Sequence, residues 1–201
     1  HAGGRGCAMN RVLVTGANGF VGRAACRRLR ADGLAVVAAM RQPDGSADAV
    51  PVGDIDGDTD WTSALAGVDA VLHLAARVHV MNESSADPLS AFRRVNVDGT
   101  LNLARQAAAA GVRRFVFVSS VKVNGEGTEP GQPYRADDTP APQDPYGVSK
   151  MEAEQGLRQI AAETGMEVVV IRPVLVYGPG VKANFRSMMS WLNRGVPLPL
   201  G

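Results

Sequence analysis

The chain has little of what marks several common protein classes. Only two of its 201 residues are cysteines, Cys7 and Cys26. They make no metal-ligand spacing; one sits in a glycine-rich leader and the other in a helical stretch. A disulfide scaffold, a thiolate metal site and a thiol nucleophile are all disfavoured, and a reducing cytoplasm suits the chain. An excess of one charge is also missing, since 21 Lys and Arg face 20 Asp and Glu for a net charge of +1. Such a balance leaves no electrostatic footprint for nucleic acid or for an acidic membrane surface. No apolar run approaches the roughly 18 residues that a membrane span requires. Residues 1–8 are too short and too rich in glycine for a signal peptide, and they read as a disordered leader or an expression remnant before Met9. The sequence holds no internal repeat and no low-complexity block.

What is there is an ordinary globular composition, 45% apolar and 20% charged. The length suits one domain, or one domain plus the start of another. Strand and helix patterns alternate. Residues 11–15 read as a short buried strand and residues 23–31 as an amphipathic helix, followed by strands at 35–40 and 51–55. A helix at 61–66 precedes a strand at 68–74. A long alanine-rich helix then covers 88–110, and the strongest strand signal is residues 114–119. Residues 124–144 hold four prolines among acids and glycines, the composition of a surface loop. A helix over 146–164, a strand over 167–172 and a helix over 183–194 complete the series. This order predicts an α/β fold, a parallel sheet with helices on both faces.

Two stretches carry chemistry. The first strand runs into Gly16-Ala17-Asn18-Gly19-Phe20-Val21-Gly22 and then into a helix. Gly16 permits a tight turn, Gly19 lets the backbone approach a pyrophosphate, and Gly22 lets helix and strand pack closely. The helix start adds free N–H groups and a positive dipole end. The spacing is Gly-x-x-Gly-x-x-Gly rather than the usual dinucleotide fingerprint. The second stretch is Tyr146-Gly147-Val148-Ser149-Lys150. Four residues apart on a helix, the phenol and the ammonium share a face. A free tyrosine keeps its proton to about pH 10, and a nearby lysine charge is expected to bring it into working range.

In this company the sequence resembles the extended short-chain dehydrogenase/reductase family, which includes nucleotide-sugar epimerases, dehydratases and ketoreductases. The resemblance covers residues 11–201. It rests on Thr15 to Gly22, Gly53-Asp54-Ile55, His73-Leu74-Ala75-Ala76, Asn96-Val97-Asp98-Gly99-Thr100, Val118-Ser119-Ser120, Tyr146 to Lys150, and Arg172-Pro173 through Tyr177-Gly178-Pro179-Gly180, in the family's order. It implies a Rossmann-type doubly wound sheet over residues 9–180. Residues 181–201 then begin a smaller substrate lobe, expected to be truncated because the chain stops on the loop Pro199-Leu200-Gly201. It also implies Ser120, Tyr146 and Lys150 as the catalytic trio. A cofactor would be held by Gly16, Asn18, Gly19, Phe20, Val21, Gly22, Arg41, Asp54, Ile55, Leu74, Ala75, Ala76, Ser119 and Pro173, with Tyr146 and Lys150. Asp54 and Ile55 would flank the adenine, Ala75 and Ala76 would lie beneath the dinucleotide, and Asn96 would support the active-site strand. Arg77, Ser120 and Asn184 would meet the substrate, a nucleotide sugar. A homodimer through two long helices is a further expectation, and no metal is expected.

Within the family, two features narrow the chemistry. NAD selectivity usually needs an acid at the end of the second strand, where this chain has Met40 and Arg41. A guanidinium there suits a 2′-phosphate, so the reading leans to NADP, with NAD as the alternative. Dehydratases carry an Asp-Glu pair directly after the catalytic hydroxyl; here those positions are Val121 and Lys122, which disfavours water elimination. A UDP-4-keto-sugar reductase of surface-polysaccharide synthesis is the favoured expectation, with a UDP-sugar 4-epimerase that retains NAD, or a non-catalytic dinucleotide sensor, as alternatives.

Overall fold

The structure is a computed structural model and describes residues 10–42, 45–78 and 87–179. Its strands are β1 (Arg11–Thr15), β2 (Ala35–Met40), β3 (Ala49–Pro51), β4 (Ala70–His73), β5 (Arg114–Val118) and β6 (Glu167–Ile171). All adjacent pairs are parallel, in the order β3-β2-β1-β4-β5-β6. The helices are α1 (Phe20–Ala31), α2 (Thr62–Leu65), α3 (Pro88–Arg93), α4 (Thr100–Ala109) and α5 (Pro145–Thr164).

Period-2 alternation explains why both faces are covered. Val12, Val14, Val36, Ala38 and Met40 point to one face, where they pack with Cys26 of α1. Leu13, Val37, Ala39, Val71, Phe115 and Phe117 point to the other, against Leu103 and Ala107 of α4 and Leu157 and Ile160 of α5. Burying a large apolar side chain contributes about 1.5–3 kcal/mol, so each face is a substantial anchor. The chain moves outward from β1 to β3 and then returns to start β4 on the other side of β1. That reversal opens a crevice at the carboxyl ends of the strands.

The fold agrees with the expected class, and the differences are local. The helix expected over 88–110 is helical from 88 to 109, but Arg94–Gly99 is wound as a wider π-helical turn between α3 and α4. No composition signal marks such a turn. β3 begins at Ala49 and ends at Pro51, earlier than expected: the Val52 N–H still donates to the Met40 carbonyl at 2.9 Å, and the chain then turns away at Gly53, whose φ is +65°. α5 starts sharply: Pro145 occupies the first turn and the Asp144 carboxylate accepts the Gly147 N–H at 2.6 Å, a cap that fixes where Tyr146 leaves the loop. The helix expected over 183–194 lies outside the described residues. No helix among the described residues is long and apolar enough to cross a membrane.

Candidate active site

The expected site residues among those described lie past the carboxyl ends of the strands, in the first turn of α1 or on α5. At the end of β1, Gly16 has φ +65°, and a Cβ there would sit 3.0 Å from the Ala75 backbone nitrogen. A Cβ on Gly22 would run into the Gly16 carbonyl and lie 2.8 Å from the Ala17 Cα. Backbone atoms on both sides leave no room to yield, so glycine is required at both places. α1 starts at Gly19 with no side-chain cap and no acid in its first turn. Its first amides and positive dipole end are thus left for an anion, and this cradle fits the diphosphate of a dinucleotide. Asn18 contributes a carbonyl that accepts from Arg23 at 2.6 Å. Phe20 is half-buried and Val21 is exposed.

The segment after β4, from Leu74 to Arg77, forms the floor and is held at both ends. The Thr15 hydroxyl accepts the N–H groups of Leu74 and Ala75, each at 3.1 Å. Its own proton therefore goes to His73 Nδ1, 2.7 Å away. That leaves the ring proton on Nε2, which donates to the Thr100 hydroxyl at 2.9 Å. Burial, with Lys150 adding to it, pushes His73 down to about 3, so the ring is a neutral spacer. At the far end, Asn96 Oδ1 accepts the Arg77 N–H at 2.8 Å while its Nδ2 donates to the Arg77 carbonyl and to Ser149 Oγ. Ser149 Oγ donates in turn to the Tyr146 carbonyl. Asn96 thus supports the active site through the floor and α5, and not through the strand as expected.

Ser120, Tyr146 and Lys150 converge above this floor. Ser120 hydrogen-bonds the Tyr146 phenol and accepts the Lys122 N–H at 3.2 Å, which caps a 3₁₀ turn at Val121–Val123. Burial pushes the Tyr146 phenol above its ordinary value and the Asp144 carboxylate adds to this, while the Ser120 hydrogen bond and the Lys122 charge pull it back. The expectation that Lys150 lowers the phenol is not met in this arrangement. The Lys150 Nζ lies 4.5 Å from the centre of the Phe117 ring and 6.0 Å from that of Tyr146, and it donates to the Val118 carbonyl at 2.9 Å. Burial pushes this lysine itself down to about 7, with Glu154 opposing the fall.

The outer positions behave differently. Arg41 and Asp54, expected to bind a 2′-phosphate and the adenine, pair with each other at 2.9 Å with side chains 77% and 78% exposed. Ile55 beside them packs on the core. Ser119 turns its hydroxyl to Glu154 at 2.6 Å, so the cofactor role expected of it is not one its side chain serves in this arrangement. Pro173 follows β6 and its carbonyl accepts the Val121 N–H at 3.0 Å. Asn184 lies outside the described residues. The sequence reading passed over Glu154, although it falls one turn after Lys150 on the same face of α5. Arg172, part of the Arg172-Pro173 motif, holds Glu154 at 2.9 and 2.6 Å.

Known proteins place the chain in a family. The sequence model described as the NAD dependent epimerase/dehydratase family matches residues 12–195. A UDP-glucose 4-epimerase of Vibrio cholerae is 48% identical over 193 residues, 94% of this chain and 59% of that protein. A 2-alkyl-3-oxoalkanoate reductase of Stenotrophomonas maltophilia is 35% identical, over 85% of this chain and 52% of its own length. Among solved structures, MoeE5 in complex with UDP-glucose and NAD is 34% identical with a TM-score of 0.76, over 94% of this chain and 63% of that one. The chain thus spans about half to two thirds of the length of the relatives it matches.

Proposed function

The chain belongs to the NAD dependent epimerase/dehydratase family, and from that premise we propose that it carries the cofactor-binding and catalytic part of a UDP-sugar 4-epimerase that uses NAD. The observation that carries this reading is the meeting of Ser120, Tyr146 and Lys150 beside a glycine cradle shaped for a dinucleotide, in a chain 48% identical to a UDP-glucose 4-epimerase. Gly16, Gly19 and Gly22 would hold the diphosphate at the start of α1, and Ala75 and Ala76 would let the dinucleotide pass over the floor. When bound there, NAD supplies reversible removal of a hydride from a sugar carbon. Tyr146, in its phenolate form, would take the proton from the sugar hydroxyl at that carbon and as the phenol give it back, while Ser120 steadies the oxygen as its charge changes. Lys150 orients the phenol's neighbourhood and supplies positive charge when protonated.

In the sequence, Arg41 and the missing acid at Met40 lean towards NADP and a reductase. The Arg41 ion pair with Asp54 gives that guanidinium a partner within the protein, and the identity to the epimerase outweighs it. The test is direct. Incubated with UDP-glucose and catalytic NAD, the complete protein should form UDP-galactose with no net change in absorbance of reduced nicotinamide. Steady consumption of NADPH with a UDP-4-keto sugar, and no epimerisation, would replace this reading with the reductase.

A further inference from the structure

We propose that Glu154 is the counter-ion of the active site, a buried charge that keeps Lys150 in its ammonium form while clamping the end of β5 beneath Ser120. The inference rests on the reading above, in which Lys150 serves catalysis. Lys150 and Glu154 lie four residues apart on α5, on the same face, and are 2% and 1% exposed. They grip consecutive residues of one strand end: Lys150 donates to the Val118 carbonyl, and Glu154 accepts the Ser119 hydroxyl. The next residue is Ser120.

A carboxylate so deeply buried stays ionised only when it is well paired. Arg172, at the end of β6, supplies the pairing as a two-pronged donor at 2.9 and 2.6 Å, with side-chain exposures of 11% for Arg172 and 1% for Glu154. Its third nitrogen donates to Asn124 Oδ1 at 3.1 Å, which fixes the fork. Arg158 stands 3.5 Å from Glu154 at the surface. The charged and titratable groups around Lys150 and Glu154 can be named element by element. α5 offers Tyr146, Glu154 and, farther along, Arg158. β4 offers His73, which is neutral, and β6 offers Arg172. β5 offers only the Phe117 ring and the Val118 carbonyl. Burial drives the lysine to shed its proton, and Glu154 is the group that opposes this.

The chain contains three lysines, Lys122, Lys150 and Lys182, so Lys150 can be titrated directly. In protein labelled with ¹³C-lysine, the Cε resonance lost in Lys150→Met identifies it, and its shift is followed against pH. The wild-type midpoint should lie near 7. Glu154→Gln, which keeps the shape and a hydrogen-bond acceptor, should lower it by about one pH unit, and Glu154→Asp should restore it. In the complete protein the alkaline limb of kcat for UDP-glucose should move down with it. An unchanged midpoint in folded Glu154→Gln overturns the proposal. If that variant does not fold, Arg172→Gln is read instead: Glu154, without the partner that keeps it ionised, should take up a proton and the Lys150 midpoint should fall, and no fall overturns the proposal. Full turnover by Lys150→Met would sink the catalytic reading alone, because the titration still decides whether Glu154 governs this lysine.

Discussion

The two ends of the crevice use charge in opposite ways. At the outer end Arg41 and Asp54 pair in the open, with more than three quarters of each side chain exposed. Such pairs gain little in water and are screened by salt, so they can exchange partners at small cost. At the inner end Glu154 and Arg172 are buried among Ser119, Asn124 and Lys150. There desolvation makes each charge depend on its partner, and removing one leaves the other stranded. The outer pair can be rearranged at small cost, and the inner one cannot.

That contrast can be tested from its strongest consequence to its weakest. Tyr146→Phe should reduce kcat by about 10²–10⁴-fold with NAD affinity nearly unchanged in calorimetry; a fully active variant would remove the acid/base assignment. Arg172→Met should cost about 3–5 kcal/mol in urea unfolding, and a loss well under that would mean Glu154 is not held as a buried charge. His73 gives the inner end a pH signature. Its folded value near 3 is below the unfolded value near 6.5, so the unfolded chain binds the extra proton between those limits. Stability is complete above about pH 6.5 and falls as pH drops towards 3, at a slope approaching about 1.4 kcal/mol per pH unit. His73→Gln should flatten that slope in unfolding curves taken across the window; an unaltered slope would contradict the buried neutral ring. At the outer end, Arg41→Ala should leave the unfolding midpoint where it is and weaken NADP much more than NAD. Equal losses for the two cofactors would show that this arginine does not sense the 2′-position.

Much of this architecture is legible in the sequence, for reasons that particular residues make clear. Arg11–Thr15 and Ala35–Met40 form strands at the expected bounds because each holds an unbroken apolar run and is followed by a glycine or a charge, Gly16 after the first and Arg41 after the second. Gly16 and Gly22 are legible because only glycine tolerates backbone atoms so close. Glu154 is hard to read from sequence because acids on a helix usually face solvent, and its burial depends on an arginine 18 residues later, just past β6. Arg41 looked like a phosphate hook because its partner sits beyond β3, in a loop that local pattern does not place. The Lys150 effect on Tyr146 failed for the same kind of reason: spacing puts the two on one face, but burial and the Val118 carbonyl decide where the ammonium goes.

The π-helical turn at Arg94–Gly99 has a consequence of its own. Asn96 within it holds Arg77 and Ser149, Arg94 reaches Asp56 beyond β3 at 2.9 Å, and Thr100 just after it accepts the hydrogen bond of the His73 ring. A regular helix advances about 100° per residue, so deleting one residue here would rotate everything on one side of the cut relative to the other. Each side chain would keep its chemistry and lose its aim. In this stretch the number of residues matters as much as their kind, and a single-residue deletion, harmless in many loops, would here uncouple the floor of the crevice from the helix that carries the tyrosine.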